Sequence, residues 1–227
     1  MRIEFRDYNG ADVVINSSFG NEWRELQESL EAMPLHLKAS DQDGLQGNAI
    51  FDVVGTNAAI QQALVARGWR SGTPIPNDLG VLGVGIDFAK NGVLAEVQFS
   101  NYPFFFNNAV RSETFFRNGT VFHDRPTGLI IIIAKSGCWP ASNSTLYYEQ
   151  AVAQMNTIHA GIFTAPMRLV GLMGDPGQQT AMWTQYSSAR YSRTVASNQL
   201  TSFDVRRSER SDKFKITQTA GPQSNPV

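Results

Sequence analysis

Apolar residues recur at Phe19, Trp23, Leu26, Leu30 and Met33, in steps of four, three, four and three. That spacing predicts one face of an amphipathic helix ending near Pro34. A second helix is predicted over Asn57 to Arg67, opened by Thr56 or Asn57 and stopped by Gly68. Ser71 to Gly80 is rich in Gly, Pro, Asn and Asp and predicts a loop. Two strands are predicted next, Leu82 to Ala89 and Val93 to Ser100, joined at Asn91-Gly92. Asn-Gly between apolar runs is the strongest short-range hairpin signal, because both turn positions take positive φ. The aromatic-rich stretch from Pro103 to Phe116 predicts a buried helix that ends at Asn118-Gly119. Leu129 to Ala134 is apolar on both alternating faces, as a strand covered by helices on both sides must be. Ser144 to His159 predicts a helix capped by Asn143 or Ser144, with Gly161 beyond its end, and Met167 to Met173 a further buried strand. From residue 82 the order is β-β-α-β-α-β, which places the chain in the α/β class, with a mixed sheet core flanked by helices. The residues from Ala220 to Val227 read as a frayed end.

The 227 residues are 42% hydrophobic and 17% charged, enough for one large domain with a core that needs no disulfide. Collagen-like, disordered and coiled-coil chains are excluded by ordinary Gly and Pro counts and low charge. The longest apolar run, Leu129 to Ala134, is far short of a bilayer span, and the start lacks the apolar stretch of a secretory signal, so no membrane partner is expected. The single Cys138 permits neither an internal disulfide nor a multi-cysteine zinc site. These features read as a soluble intracellular protein. Net charge is −1, but unevenly placed. Residues 1–52 carry four basic and ten acidic side chains; residues 188–217 carry seven basic and three acidic. A basic stretch of that kind is either a solvated face or a surface for an anionic partner.

A two-residue turn at Asn91-Gly92 pairs Lys90 with Val93, which sets Asp87 opposite Glu96 and Gly85 opposite Gln98. Asp87, Glu96 and Gln98 then share one face, and Ile86, Phe88, Ala95 and Val97 the other. That polar face carries no basic partner except Lys90 at the turn. Two like charges directly opposed destabilise a sheet unless something positive sits between them. Hard oxygen ligands at such spacing suit Mg²⁺, which takes one or two carboxylates and otherwise keeps water and phosphate oxygens. The same pattern also describes an ordinary edge hairpin with its polar side outward.

The spacing Asp-x8-Glu-x-Gln approximates the metal-nuclease pattern in which two acids and a third polar residue surround a cation. Longer strings carry a specific likeness. Asp7-Tyr8-Asn9, residues 33–42, Val54-Gly55-Thr56-Asn57, Ile86-Asp87-Phe88 and residues 96–104 resemble, in order, type II restriction endonucleases of the BglII family, within the PD-(D/E)xK nucleases. So do Val110-Arg111-Ser112-Glu113, residues 140–144, residues 146–151, residues 168–172 and residues 190–194. Residues 119–128, 174–188 and the tail after 195 carry no visible match.

The resemblance implies a restriction-endonuclease-like mixed sheet (catalytic core about 50–175) with a mainly β, DNA-contacting C-terminal elaboration (about 176–219) in a single domain. It implies that Asp87 and the backbone carbonyl of Val97 bind Mg²⁺, with Mn²⁺ an alternative ion, and that Glu96 and Gln98 hold and orient the attacking water. It also implies base or phosphate contacts from Ser100, Asn101, Arg111, Asn143, Ser144, Tyr191 and Arg193. Asn pairs bidentately with adenine and Ser serves several bases, although Asn143-Ser144 also suits a plain helix cap and Arg111 a helix-surface salt bridge. The implied partners are palindromic double-stranded DNA and a second copy of the chain, since two-fold sites are read by two-fold dimers. The implied site is AGATCT or another GATC-centred sequence, cut to staggered ends in a bacterial cytoplasm. Gly72 departs from the family, which has a supporting asparagine there. A DNA-binding protein that does not cut and a nuclease of branched DNA are the alternatives.

Other chemistries have less support. No Gly-x-Ser-x-Gly elbow or phosphate-loop motif occurs, so neither a serine hydrolase nor a nucleotide cofactor is expected. Cys138 with His159 is a conceivable thiol pair, but a structural thiol is the simpler reading. His36 and His123 lack ligand-spaced neighbours.

Overall fold

The computed structural model describes residues 1–142, 146–188, 194–209 and 211–219. Asn143, Ser144, Tyr191, Arg193 and the tail from Ala220 lie outside the described residues. The chain opens with strand β1 (Arg2–Tyr8). Helix α1 (Ala11–Val14), a π turn (Ile15–Phe19) and helix α2 (Gly20–Ala32) follow. Phe19, Trp23, Leu26, Leu30 and Met33 are all buried, so the predicted stripe is the packed face. Met33 takes φ −70° and ψ 130°, the extended geometry a following proline imposes, and the helix stops there.

Strands β2 (Leu35–Ala39) and β3 (Ala49–Phe51) lead into helix α3 (Val53–Val65). This helix starts four residues before the predicted Asn57. Its cap is Asp52, not Thr56 or Asn57: Oδ1 of Asp52 accepts the Val54 N–H at 3.2 Å. The β-branched Val53-Val54 disguises the first turn as extended chain. Gly68, at φ +82°, closes the helix as predicted.

Residues 71–80 are more ordered than the expected loop. They hold most of β4 (Arg70–Pro74) and the start of a 3₁₀ turn (Asn77–Leu82). Because β4 is the outermost strand of its sheet, its Gly and Pro leave no inner ladder unsatisfied. Strands β5 (Gly85–Lys90) and β6 (Val93–Val97) are both shorter than predicted. The 3₁₀ turn consumes the start of the first, and Asn101 caps helix α4 (Tyr102–Arg117) soon after the second. A small ladder of β7 (Val121–His123) and β8 (Arg125–Pro126) precedes β9 (Leu129–Lys135). Helix α5 (Tyr148–Ile162) begins four residues after Ser144 and includes Gly161. It closes where Phe163 N–H meets the His159 carbonyl at 2.9 Å. Strand β10 (Met167–Met173) follows, then β11 (Gly177–Tyr186), β12 (Val195–Arg207) and β13 (Phe214–Gln218).

The first sheet has the order β1-β10-β9-β6-β5-β4, with β10, β9 and β6 parallel and the others antiparallel. Every residue of β9 is buried, and its side chains alternate between two apolar clusters. Ile131 and Ile133 pack with Leu26, Leu30 and Leu64 of α2 and α3, whereas Ile130 and Ile132 pack with Phe105 and Met155 of α4 and α5. The predicted double-sided cover is therefore met. The second sheet, β13-β12-β11-β2-β3, is the β elaboration, but it recruits two strands from residues 35–51. No local pattern announces that pairing. Among the described residues no helix is long and apolar enough to cross a membrane.

The turn between β5 and β6 is the tightest demand on the chain. Asn91 has φ +46° and Gly92 φ +85°, and a Cβ on Gly92 would lie 2.5 Å from the Pro126 carbonyl oxygen. Gly92→Ala is expected to destabilise the fold by about 2–4 kcal/mol, read as a lower midpoint in urea unfolding.

Candidate active site

Beyond the turn, Lys90 pairs with Val93, Ala89 with Leu94 and Phe88 with Ala95, which is the predicted register. The ladder then opens. Oδ2 of Asp87 accepts the Val97 N–H at 2.8 Å, so a side chain replaces the backbone partner. On the opposite edge of β5, Ser71 pairs with Phe88 and Thr73 with Ile86, while Gly72 between them takes φ +59°. This irregularity changes the facing of one residue. Ile86 packs with Ala89 and Leu94, not with Phe88 and Ala95 as simple alternation predicts. Asp87 lines a cleft of about 340 Å³ with Asn57 and Gln61 of α3, Ser71, Gly72 and Val97. A Cβ on Gly72 would meet nothing within 4 Å, so this position leaves open space beside Asp87.

Glu96 neighbours Asp87 and is 1% exposed. Burial, reinforced by the neighbouring Asp87 carboxylate, pushes its pKa up to about 8 against the pull of Arg111. The two acids are close enough to share a hydrogen bond when one is protonated. The expectation that this face lacks a basic partner is corrected here. Nη2 of Arg111, from α4, donates to Glu96 Oε1 at 2.7 Å, and the Arg111 side chain is 11% exposed. Arg111 was also expected at the DNA; the structure places its guanidinium on Glu96. Lys90, in contrast, is drawn away to Glu25 and to the Arg67 carbonyl.

Gln98 is buried at the end of the same strand. Its Oε1 accepts from Nδ2 of Asn108 at 3.0 Å, and its Nε2 donates to Oγ of Ser100 at 2.5 Å. Gln98 N–H bonds the Ile133 carbonyl of β9, so the backbone groups of Val97, one residue earlier, face the β5 side. Ser100 is exposed, and its carbonyl accepts the Leu146 N–H at 3.0 Å, which ties the strand end to the segment before α5. Asn101 begins α4.

Asp87, Glu96, Gln98 and Ser100 thus come together, with Val97 between them. Asn57, Gln61 and Asn108 also belong to the site and were missed. Asn57 and Gln61 stand four apart and Asn108 and Arg111 three apart, each pair on one helical face. A buried Asn within the aromatic run of α4 was the available signal. The thiol alternative is not built. Cys138 is held by burial above the usual thiol pKa, and Nδ1 of His159 bonds the Met155 carbonyl.

The candidate ligands here are oxygens: the Asp87 carboxylate, the neighbouring Glu96 carboxylate and the Val97 carbonyl. No group of three or more His, Cys, Asp or Glu able to hold a metal occurs among the described residues. A cation here would therefore complete its shell with water or substrate oxygens, as Mg²⁺ does and zinc commonly does not.

Known proteins resemble this chain over most of its length. Residues 3–172 match the family model described as restriction endonuclease BglII/BglIII. The type II restriction enzyme BglII of Bacillus subtilis is 46% identical over 197 residues, covering 86% of this chain and 87% of that protein. The crystal structure of BglII complexed with a DNA 16-mer superposes with TM-score 0.91 at 42% identity, covering 96% of this chain and 100% of that one. Free BglII, at 40% identity and the same coverage, gives 0.73.

Proposed function

The chain belongs to the BglII/BglIII family of restriction endonucleases and is a site-specific endonuclease, and from that premise we propose that it cuts palindromic double-stranded DNA in a Mg²⁺-dependent reaction. The observation that carries the reading is the pairing of Asp87, which lines the cleft, with a buried Glu96 whose pKa is raised to about 8. Among the described residues Arg111 reaches Glu96 but no ion pair reaches Asp87, so the site has room for the positive charge that a divalent cation would supply.

Asp87 and the Val97 carbonyl would hold the cation, with Glu96 beside it; Mn²⁺ has the same preference for oxygen ligands. When bound, it supplies stabilisation of the charge that builds on the phosphoryl oxygens and lowers the pKa of water. The Val97 N–H already meets Asp87, and N–H and C=O of one strand residue face the same neighbour, which supports a role for its carbonyl. With a cation beside it, Glu96 would have its pKa drawn back down and would then be placed to orient the attacking water and share in removing that water's proton. Gln98 carries no charge, so it orients a water rather than deprotonating it.

Ser100 and Asn101, directly after the catalytic strand, read base edges on this account, joined by Asn143, Ser144, Tyr191 and Arg193. Arg111 would serve DNA only indirectly, through Glu96. A palindrome calls for a homodimer with one site facing each strand. We assign AGATCT or another GATC-centred sequence and staggered ends. Plasmid DNA incubated with the protein and Mg²⁺ is expected to give discrete fragments whose sequenced ends share one GATC-containing palindrome. Retention of DNA without cutting, or cutting of branched DNA alone, would refute the assignment.

A further inference from the structure

Helix α4 does more than cover the sheet. Arg111 holds Glu96, and three residues earlier on the same face Asn108 holds Gln98. The helix starts immediately after Ser100 and Asn101, so one rigid rod carries the residues that steady the catalytic side chains and follows directly on those at the DNA. Gln98 and Asn108 are each 7% exposed, whereas Ser100 is exposed.

An amide has one acceptor end and one donor end. Nδ2 of Asn108 occupies the Gln98 acceptor at 3.0 Å, which directs the Gln98 NH₂ to Ser100 Oγ at 2.5 Å. One N–H is spent on Ser100 and the second remains for the reacting centre. Because the Ser100 oxygen accepts from Gln98, its own proton points outward and suits a base-edge acceptor such as purine N7, guanine O6 or thymine O4. A base presenting only an amino group at that position meets the one remaining lone pair and leaves the hydroxyl proton unpaired.

We propose that Asn108 is a positioning residue that sets the polarity of this chain, from Asn108 through Gln98 to Ser100 and a base-edge acceptor, and so ties the rate of cutting to base reading. The inference rests on the nuclease reading above. Broken polarity lets the Gln98 amide turn over, which offers its oxygen to Ser100 and misplaces its N–H at the reacting centre.

The test compares steady-state cleavage of a cognate duplex with that of duplexes altered at one base pair, using the full chain and Mg²⁺. Asn108→Asp keeps the shape of the side chain. Its kcat is expected to fall about 100-fold with KM for DNA changed less than about threefold. The deficit should deepen as pH rises, because a neutral acid still donates to Gln98 whereas its anion only accepts. Asn108→Ala should show the same kcat loss without that added pH dependence, and Ser100→Ala should lower kcat and discrimination together. Wild-type kcat and discrimination in both Asn108 variants would overturn the proposal, as would losses that merely track a fall in melting temperature. A wild-type protein that cuts no duplex at all would instead remove the nuclease reading beneath it.

Discussion

Asp87→Asn is expected to lower the cleavage rate by roughly 10³-fold or more while leaving affinity for the cognate duplex within about threefold. The substitution keeps the shape and one oxygen, so packing changes little. It removes the charge that faces the cleft, and with it the strongest ligand for a cation. The Val97 N–H loses its ionic acceptor but keeps an amide oxygen within reach, so the strand end should stay in place. DNA binding rests on other residues and persists. The measurement is single-turnover cleavage with Mg²⁺ beside a binding isotherm in Ca²⁺. Cleavage within tenfold of wild type would contradict the role of Asp87.

Glu96→Gln is expected to act in opposite directions on activity and on stability. Glu96 has a folded pKa of about 8, above the ordinary carboxylate value, because burial and Asp87 both disfavour its charge. The native state therefore holds a proton that the unfolded chain releases from about pH 4.5 upward. Stability from this group is complete below that pH and is lost as pH rises toward 8, at up to about 1.4 kcal/mol per pH unit. For a chain of this size that corresponds to a few degrees of melting temperature per unit. Gln cannot ionise and still offers Oε1 to Arg111, so the variant's curve should be flat across this window where the metal-free wild type falls. The two should agree near pH 5 and diverge by roughly 10 degrees at pH 8, while cleavage by the variant drops about 100-fold. Parallel melting curves would show that Glu96 is not held in a charge-averse site.

The hairpin was the most legible part of the chain. Asn91-Gly92 announces its own φ values, and the register that follows holds as far as Phe88–Ala95, leaving Asp87 beside Glu96. The stripe on α2 and the two-sided burial of β9 were equally plain, because a period of four-three and a run without polar residues each have one packing solution. Signals failed where a distant partner decides. β2 and β3 carry no assignment in the local pattern, because β2 pairs with β11 far along the chain and β3 pairs with β2. The start of α3 was hidden because two valines favour strand locally while Asp52, buried beneath Tyr186, fixes the cap. Within the site, the carboxylates were visible, but Arg111 and Asn108 were not assigned to them. Side chains supplied from a helix across the sheet leave no mark in the spacing of the strand they serve. The likeness to the endonuclease family supplied what spacing left open between a nuclease centre and an edge hairpin.

The most direct test is diffraction from the protein bound to a cognate duplex with Mn²⁺, using the ion's anomalous signal to place it. The predicted peak lies between the Asp87 carboxylate, the Val97 carbonyl and an oxygen of the scissile phosphate, with Glu96 beside it. A peak bound without Asp87, or an Asp87 turned away from Glu96 in the complex, would contradict the metal centre.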